Sequence, residues 1–505
     1  MNRKIRRHLS KAKRKIDERL AGFRRAPVRG EPVFTASNVK YEVSNRVQAI
    51  NAGGIGLVHK MVRKLGLAEV IDEYLHLLKL HLPYHESDHV LNIAYNILCN
   101  GKVLDDLEVL RNNAAYLDAL GVNTIPDPTT AGDFCRRFEI EHIYTLMDAV
   151  NKVRLKVWKS QPDKFFDTAR VDVDGIFVDT YGECKEGMDI NYKGQWGYHV
   201  LLASLANTQE PLFLVNRSGN RPSHEGAPAI IDKSVALLRD AGFRQIIVRG
   251  DTDFSLTAHF DRWDKQSVTF VFGVDASAPM KDRASFCGLQ DELIRKAREL
   301  KTTPRERPEN FKQQVIEQRN FTDFRLVSED VGEFDHRPEK CEKAYRVVVV
   351  RKNLMVLKGG DPLFPDTRFF FYITNNREMT MEEVVKESND RCNQENLGAQ
   401  LKGGVRALRA PLGSLESNWA YMVMASLAWS LKAWLALSLP EAGREKEQNV
   451  LAKRELLAME FRTFLNAIVL VPAQIIRAGR RIIYRLLAWN PWQPTFFRLA
   501  TILNC

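Results

Sequence analysis

Two aspartates, Asp172 and Asp174, lie in the apolar run Arg-Val-Asp-Val-Asp-Gly-Ile-Phe-Val at 170–178. Side chains alternate along a strand, so both acids share one face and Val171 and Val173 take the other. A second apolar run, 246–254, carries Asp251 directly after Arg249 and Gly250. Burying an unpaired charge is costly, so acids converging at strand ends point to a divalent metal site. The bland alternative is that such aspartates form turns or cap helices. A third acid, Glu395, falls in a stretch of helical character that begins near Thr380. At 3.6 residues per turn, Arg391, Glu395 and Lys402 lie within roughly 40° of one another around the axis. That face presents a carboxylate between two cations, as a metal ligand flanked by phosphate-binding groups would. Taken alone, it is equally a solvated i,i+4 ion pair.

The spacing Arg391-x-x-x-Glu395-x-x-x-x-x-x-Lys402 resembles the signature around the last acid of bacterial insertion-sequence transposases. These are the DDE transposases with a ribonuclease-H-like catalytic domain. The resemblance extends to 172–175, 249–254, 182–187, 219–226 and 479–481, and spans about residues 45–490. Two positions depart from the pattern: Ser388 stands where the signature has Tyr, and Ile176 where Thr often follows the first acid. The resemblance implies that Asp174, Asp251 and Glu395 are the catalytic, metal-binding acids, with Asp172 the rival of Asp174. It implies two ions of Mg²⁺, a hard cation suited to carboxylate oxygens, with Mn²⁺ able to replace it. It also implies hydrolysis at a transposon end, followed by attack of the freed 3′-hydroxyl on target DNA. Arg391 and Lys402 would hold the DNA backbone, and a dimer would pair two ends of double-stranded DNA. The same acids would serve a metal-dependent nuclease without strand transfer. A catalytically lapsed DNA-binding protein is a further alternative, with Ser388 and Ile176 as its signs.

The elements that must position these acids can be read around them. Strand-like runs at about 170–180, 197–206, 211–216, 244–250 and 268–274, with a helix at 227–238, predict a mixed α/β sheet of ribonuclease-H type. This is the first part of a catalytic domain, 161–275. The interval 276–367 is too long for a structureless loop and predicts an inserted, partly β subdomain. Residues 368–440 complete the catalytic domain with the Glu395 helix. Within them, 421–439 has bilayer-spanning length, but Lys432 near its middle costs roughly 3 kcal/mol in a membrane. A buried core helix packed on the sheet, and no membrane partner, is the expectation. Upstream, 45–160 reads as a helical DNA-binding region. Asp127-Pro128 is a helix start there, and 125–138 could be the second half of a helix-turn-helix. The C-terminal region, 441–505, reads as helical. Arg477, Arg481 and Arg485 recur at i,i+4,i+8 on a helix bounded by Pro472 and Pro491, giving a basic face for DNA or for solvent.

The net charge of the 505 residues is +11. The first thirty hold twelve Lys or Arg against two Asp or Glu, so ten of those eleven charges sit in one N-terminal arm. Residues 1–44 therefore read as a flexible basic arm that binds nucleic acid without sequence preference. The start lacks the apolar core of a secretory signal. Seven cysteines, odd in number and without a C-x-x-C pair, argue for reduced thiols in a cytosol and against a zinc site, and the resemblance implies a cytoplasmic, nucleoid-associated bacterial protein. His199 and His224 lack any recognisable ligand spacing.

Overall fold

The computed structural model describes residues 3–25, 36, 39–41, 47–286, 311–479 and 481–504. The chain divides into two compact units. One comprises Asp163–Phe177 with Asp189–Gly398. The other comprises Met1–Pro162, Val178–Met188 and Ala399–Cys505.

The first unit is built on a nine-stranded sheet. Its strands are β2 (Thr168–Asp179), β3 (Asp189–Ile190), β4 (Trp196–Leu205), β5 (Glu210–Val215), β6 (Gln245–Gly250), β7 (Thr269–Val274), β8 (Thr322–His336), β9 (Tyr345–Lys358) and β10 (Asp361–Thr374). The order is β3-β4-β2-β6-β7-β10-β9-β8, with β5 also on β4. Strands β2, β6 and β7 run parallel, and their Val- and Ile-rich runs are buried, as parallel strands covered by other elements require. This mixed α/β sheet is the ribonuclease-H-like core expected: β2, β4, β5, β6 and β7 fall where the alternation put them, and the two-residue β3 is an addition. The interval expected as an inserted subdomain is different. Its strand β8 pairs with β9, β9 pairs with β10, and β10 pairs antiparallel with β7, so the segment extends the sheet instead of leaving it. The helix Met381–Asp390 crosses this sheet through Val384, which packs with Ile247, Val271, Val331, Val348 and Val350.

The second unit is mainly helical. The apolar helix Leu415–Leu437 is buried along its whole length, and packs against helices Glu86–Leu98, Ile140–Trp158 and Lys446–Ala458. It is therefore the core of the helical unit, where the sequence suggested a cover for the sheet. Lys432 is accommodated by donating to the Leu457 carbonyl at 2.9 Å, with its ammonium 3.9 Å from the Trp429 ring centroid. The helix start at Asp127 is as expected, its carboxylate accepting from the Thr130 N–H and hydroxyl.

Two terminal expectations are corrected. The basic arm is helical over Arg3–Arg25, because its Ala, Leu, Lys and Arg residues are strong helix formers. The segment carrying Arg477, Arg481 and Arg485 is a hairpin: β11 (Ala473–Ala478) pairs antiparallel with β12 (Arg481–Leu486), and β1 (Gln48–Ile50) adds a third strand. Gly479, at φ 57°, begins the turn. Arg477 is paired across from Ile482 on one face, while Arg481 and Arg485 share the opposite face with Ile483.

Candidate active site

The site is set by register. Along the parallel β2–β6 pair, Asp172 is the direct neighbour of Arg249. Two residues further, the same register brings Asp174 level with Asp251, where β6 ends and Asp251 caps a short 3₁₀ turn, accepting from the Asp253 N–H at 3.0 Å. Neighbouring strands lie about 4.8 Å apart, so both carboxylates emerge side by side on one face.

That face is covered by the helical segment from Met381 to Ala399, in two helices that break at Arg391. Alternate residues of a strand lie about 6.6 Å apart and four helical residues rise about 6 Å, so the two elements keep step. Arg170 meets Glu387 with bonds of 2.6–2.9 Å. Asp174 lies within reach of the charges of Arg391 and Glu395. Ile176 lies against Gly398, where an added Cβ would sit 2.9 Å from Ile176 Cδ1. Buried Gln394 fastens the segment to β4 by accepting from the Ser204 hydroxyl.

Asp172 is not available to a ligand. It is 1 % exposed, and its two oxygens accept from Arg249 at 2.6 and 2.9 Å. Arg249 also donates to Glu387, at 2.9 Å to Oε2 and 3.2 Å to the main-chain carbonyl. Burial works against the Arg249 charge, but the bonds to Asp172 and Glu387 hold its pKa above the ordinary value. Burial likewise raises Glu387, and Arg170 and Arg249 more than reverse it. Sequence reasoning missed Arg249, Glu387 and Gln394 as parts of this site. An arginine inside an apolar strand was the one signal for them.

Asp174 has no such partner. Burial first, then the charges of Asp251 and Glu395, push its carboxyl up to about 6 against the opposing effects of Arg391 and the Gly175 N–H. Asp251 is raised as well, chiefly by burial, with Asp253 and Glu395 adding to it and Arg391 opposing. Three carboxylates thus share one field with a single arginine. Such a donor set suits a hard divalent cation, which would relieve the repulsion. Their oxygens do not all fall within 4.8 Å of one another, a wider spread than one ion's ligand set.

Arg391 is brought to the acids. Lys402 belongs to the π turn Gln400–Gly404, closed by the Val405 N–H bonding the Gln400 carbonyl, so the 3.6-residue phase from Glu395 does not carry through to it. Its ammonium lies 3.8 Å from Asp179. The basic hairpin residues belong to the helical unit. His199 is held between main-chain groups, its Nδ1 2.7 Å from the Arg221 carbonyl. It borders a cavity of about 650 Å³, also lined by Gly175, Tyr192, Arg221, His224 and Asp253.

The strand order and the strand-end acids define a ribonuclease-H-like α/β domain of the kind that processes nucleic acid. The chain belongs to the family of transposase DDE domain group 1, whose model matches residues 37–505. It is a DNA transposase, an enzyme that cuts and joins DNA, from a class that generally depends on divalent metal. Comparison with curated proteins yields no match. Among solved structures, the cryo-EM structure of the piggyBac transposase synaptic complex with hairpin DNA is similar over 82 % of each chain, at 9 % identity and a TM-score of 0.36.

Proposed function

We propose that Asp174, Asp251 and Glu395 are the metal-binding acids of this transposase, holding two Mg²⁺ ions, with Mn²⁺ able to replace them. Such ions, when bound, polarise the reacting phosphate and the oxygens that attack and leave it. The chain's own part is to bring Asp174 and Asp251 level at adjacent strand ends, with Glu395 on the helix that covers them. Arg391 lowers the pKa of both aspartates and would contact the DNA backbone at the same place. The Arg249–Asp172–Glu387 network holds the helix against the strands, so that Glu395 stays opposite Asp174. The cavity beside Gly175 and Asp253 would receive the strand flanking the reacting phosphate. The substrates would be the double-stranded transposon ends and target DNA, bound by a dimer in the cytoplasm. Lys402 and the hairpin arginines would add contacts along the duplex.

The observation that carries this reading is the shared electrostatic field of Asp174, Asp251 and Glu395. The test uses labelled DNA bearing candidate ends, with Mg²⁺. Wild-type protein should yield joined products. Asp174→Ala, Asp251→Ala and Glu395→Ala should each bind DNA and neither cut nor join. A folded variant that cuts at the wild-type rate removes that residue from the triad.

A further inference from the structure

We propose that His81, His85 and Glu86 form a zinc site in the helical unit, built from residues unrelated to the catalytic acids. One ligand atom from each lies within 4.8 Å of the other two, and no other such group of three occurs among the described residues. Around a tetrahedral zinc with bonds of about 2.0–2.1 Å, ligand atoms stand about 3.3 Å apart. His81 Nε2 and Glu86 Oε2 are already 3.2 Å apart. The two imidazoles stack with centroids 4.9 Å apart and planes 7° from parallel, so a small rotation of one ring would be needed for both in-plane nitrogen lone pairs to meet at one ion.

Glu86 is prepared for the role. Its side chain is 1 % exposed, and its other oxygen, Oε1, accepts from the N–H groups of Leu77 and Leu78, each at 2.9 Å. Bonds of this kind orient a ligand before the metal arrives. A buried carboxylate tied on one oxygen and directed at an exposed histidine with the other leaves a place for a cation. Two nitrogens and one oxygen favour zinc over magnesium, which prefers oxygen alone. Three protein ligands leave a fourth position for water. The ion would pin the link between the helices Leu67–Tyr74 and Glu86–Leu98, where Asp72 already accepts from the Ser87 N–H and hydroxyl at 2.8 Å each.

The test is metal binding by the stripped full-length protein, without an activity readout. Dialysis against limiting Zn²⁺ should leave one tightly held ion, and Co²⁺ should give the visible absorption of a low-coordinate nitrogen and oxygen site. Glu395→Gln should keep both signals. The His81→Ala, His85→Ala double variant should bind Zn²⁺ at least about a hundredfold more weakly. Glu86→Gln retains an oxygen for the Leu77 and Leu78 amides, and should fold and still lose the Co²⁺ spectrum. The site is wrong if the folded double variant binds Zn²⁺ as the wild type does. It is equally wrong if wild-type protein holds no Zn²⁺ beyond what Glu395→Gln loses, which would leave only a His81–Glu86 ion pair.

Discussion

Arg249 grips Asp172 with two hydrogen bonds across adjacent parallel strands, both residues almost wholly buried. This relationship separates two aspartates that lie on one strand face and look alike in the sequence. Breaking a buried pair by removing one partner strands the other charge, at a cost of about 3–5 kcal/mol. Asp172→Ala should therefore lower stability by about that amount in denaturant titration. At a temperature where it remains folded, its Mg²⁺ affinity should stay close to wild type. Asp174→Ala should do the reverse, keeping stability and losing metal binding. If Asp172→Ala abolishes metal binding while folding normally, the two assignments must be exchanged.

Asp174 ties stability to pH in metal-free protein. Its folded pKa, about 6, lies above the ordinary 3.8. The folded state then holds its proton more tightly than the unfolded chain. Stability from this group is full below about 4 and is lost as pH rises through about 6. The loss is on the order of 2 kcal/mol after allowance for partial solvation. Asp174→Asn should be more stable than wild type at pH 8 with chelator present, and the two should converge near pH 4. Thermal melts at both values check this. A variant less stable at pH 8 would contradict it.

Gly398 of the Glu395 helix packs against Ile176 of β2. An added Cβ would lie 2.9 Å from Ile176 Cδ1, the flexible end of that side chain, so a modest shift relieves it. Gly398→Ala should cost about 1 kcal/mol and, by moving Glu395, reduce cleavage more than its stability loss explains. Ile176→Val removes Cδ1, and the double variant should recover both. Absence of recovery would show that Gly398 is needed for another reason. Ile176, a departure from the transposase pattern, is thereby explained as packing.

Much of this arrangement was legible in local periods. The two-residue alternation exposed the catalytic strands, and the acids at their ends were visible as charges out of place. What decides Asp172 against Asp174 is a partner 77 positions away, and no local pattern contains a register. The arginines at 477, 481 and 485 show the opposite failure. A spacing of four suits one face of a helix, and in a strand four is a multiple of two. The turn at Gly479 and the β-branched pairs Ile475-Ile476 and Ile482-Ile483 were the better signal. The basic arm was read from charge alone, although its residues also favour helix. Lys402 was lost to a π turn that the 3.6 period cannot foresee.

Lys432 lies in the apolar helix Leu415–Leu437, and burial lowers its pKa to about 7. Here the folded state releases its proton more readily than the unfolded chain. Stability from this group is therefore full above about 10.5 and is lost as pH falls to about 7, then stays level. Lys432→Met keeps the length of the side chain and removes the charge, at the cost of the bond to the Leu457 carbonyl. The variant should be more stable than wild type by about 1–3 kcal/mol at pH 7, and the difference should shrink by pH 10. Urea titrations at the two values test it. A constant difference across that range would mean the folded lysine keeps its proton as the unfolded chain does, with its pKa unshifted.

The hairpin splits its arginines between two faces, which gives them separable roles. Arg477 is bonded to Asp118, whereas Arg481 and Arg485 stand together on the opposite, exposed face. If that face lies on DNA, each phosphate contact removed should lower the slope of log affinity against log salt by about 0.9. Arg481→Gln with Arg485→Gln should therefore reduce the slope by about 1.8 on a duplex of any sequence. Arg477→Gln should leave the slope unchanged and cost at most about 1 kcal/mol of stability, as a largely exposed ion pair does. Anisotropy titrations between low and moderate salt distinguish them. Equal slopes for the double variant and the wild type would remove this face from the DNA interface and leave the hairpin a purely structural cover for β1.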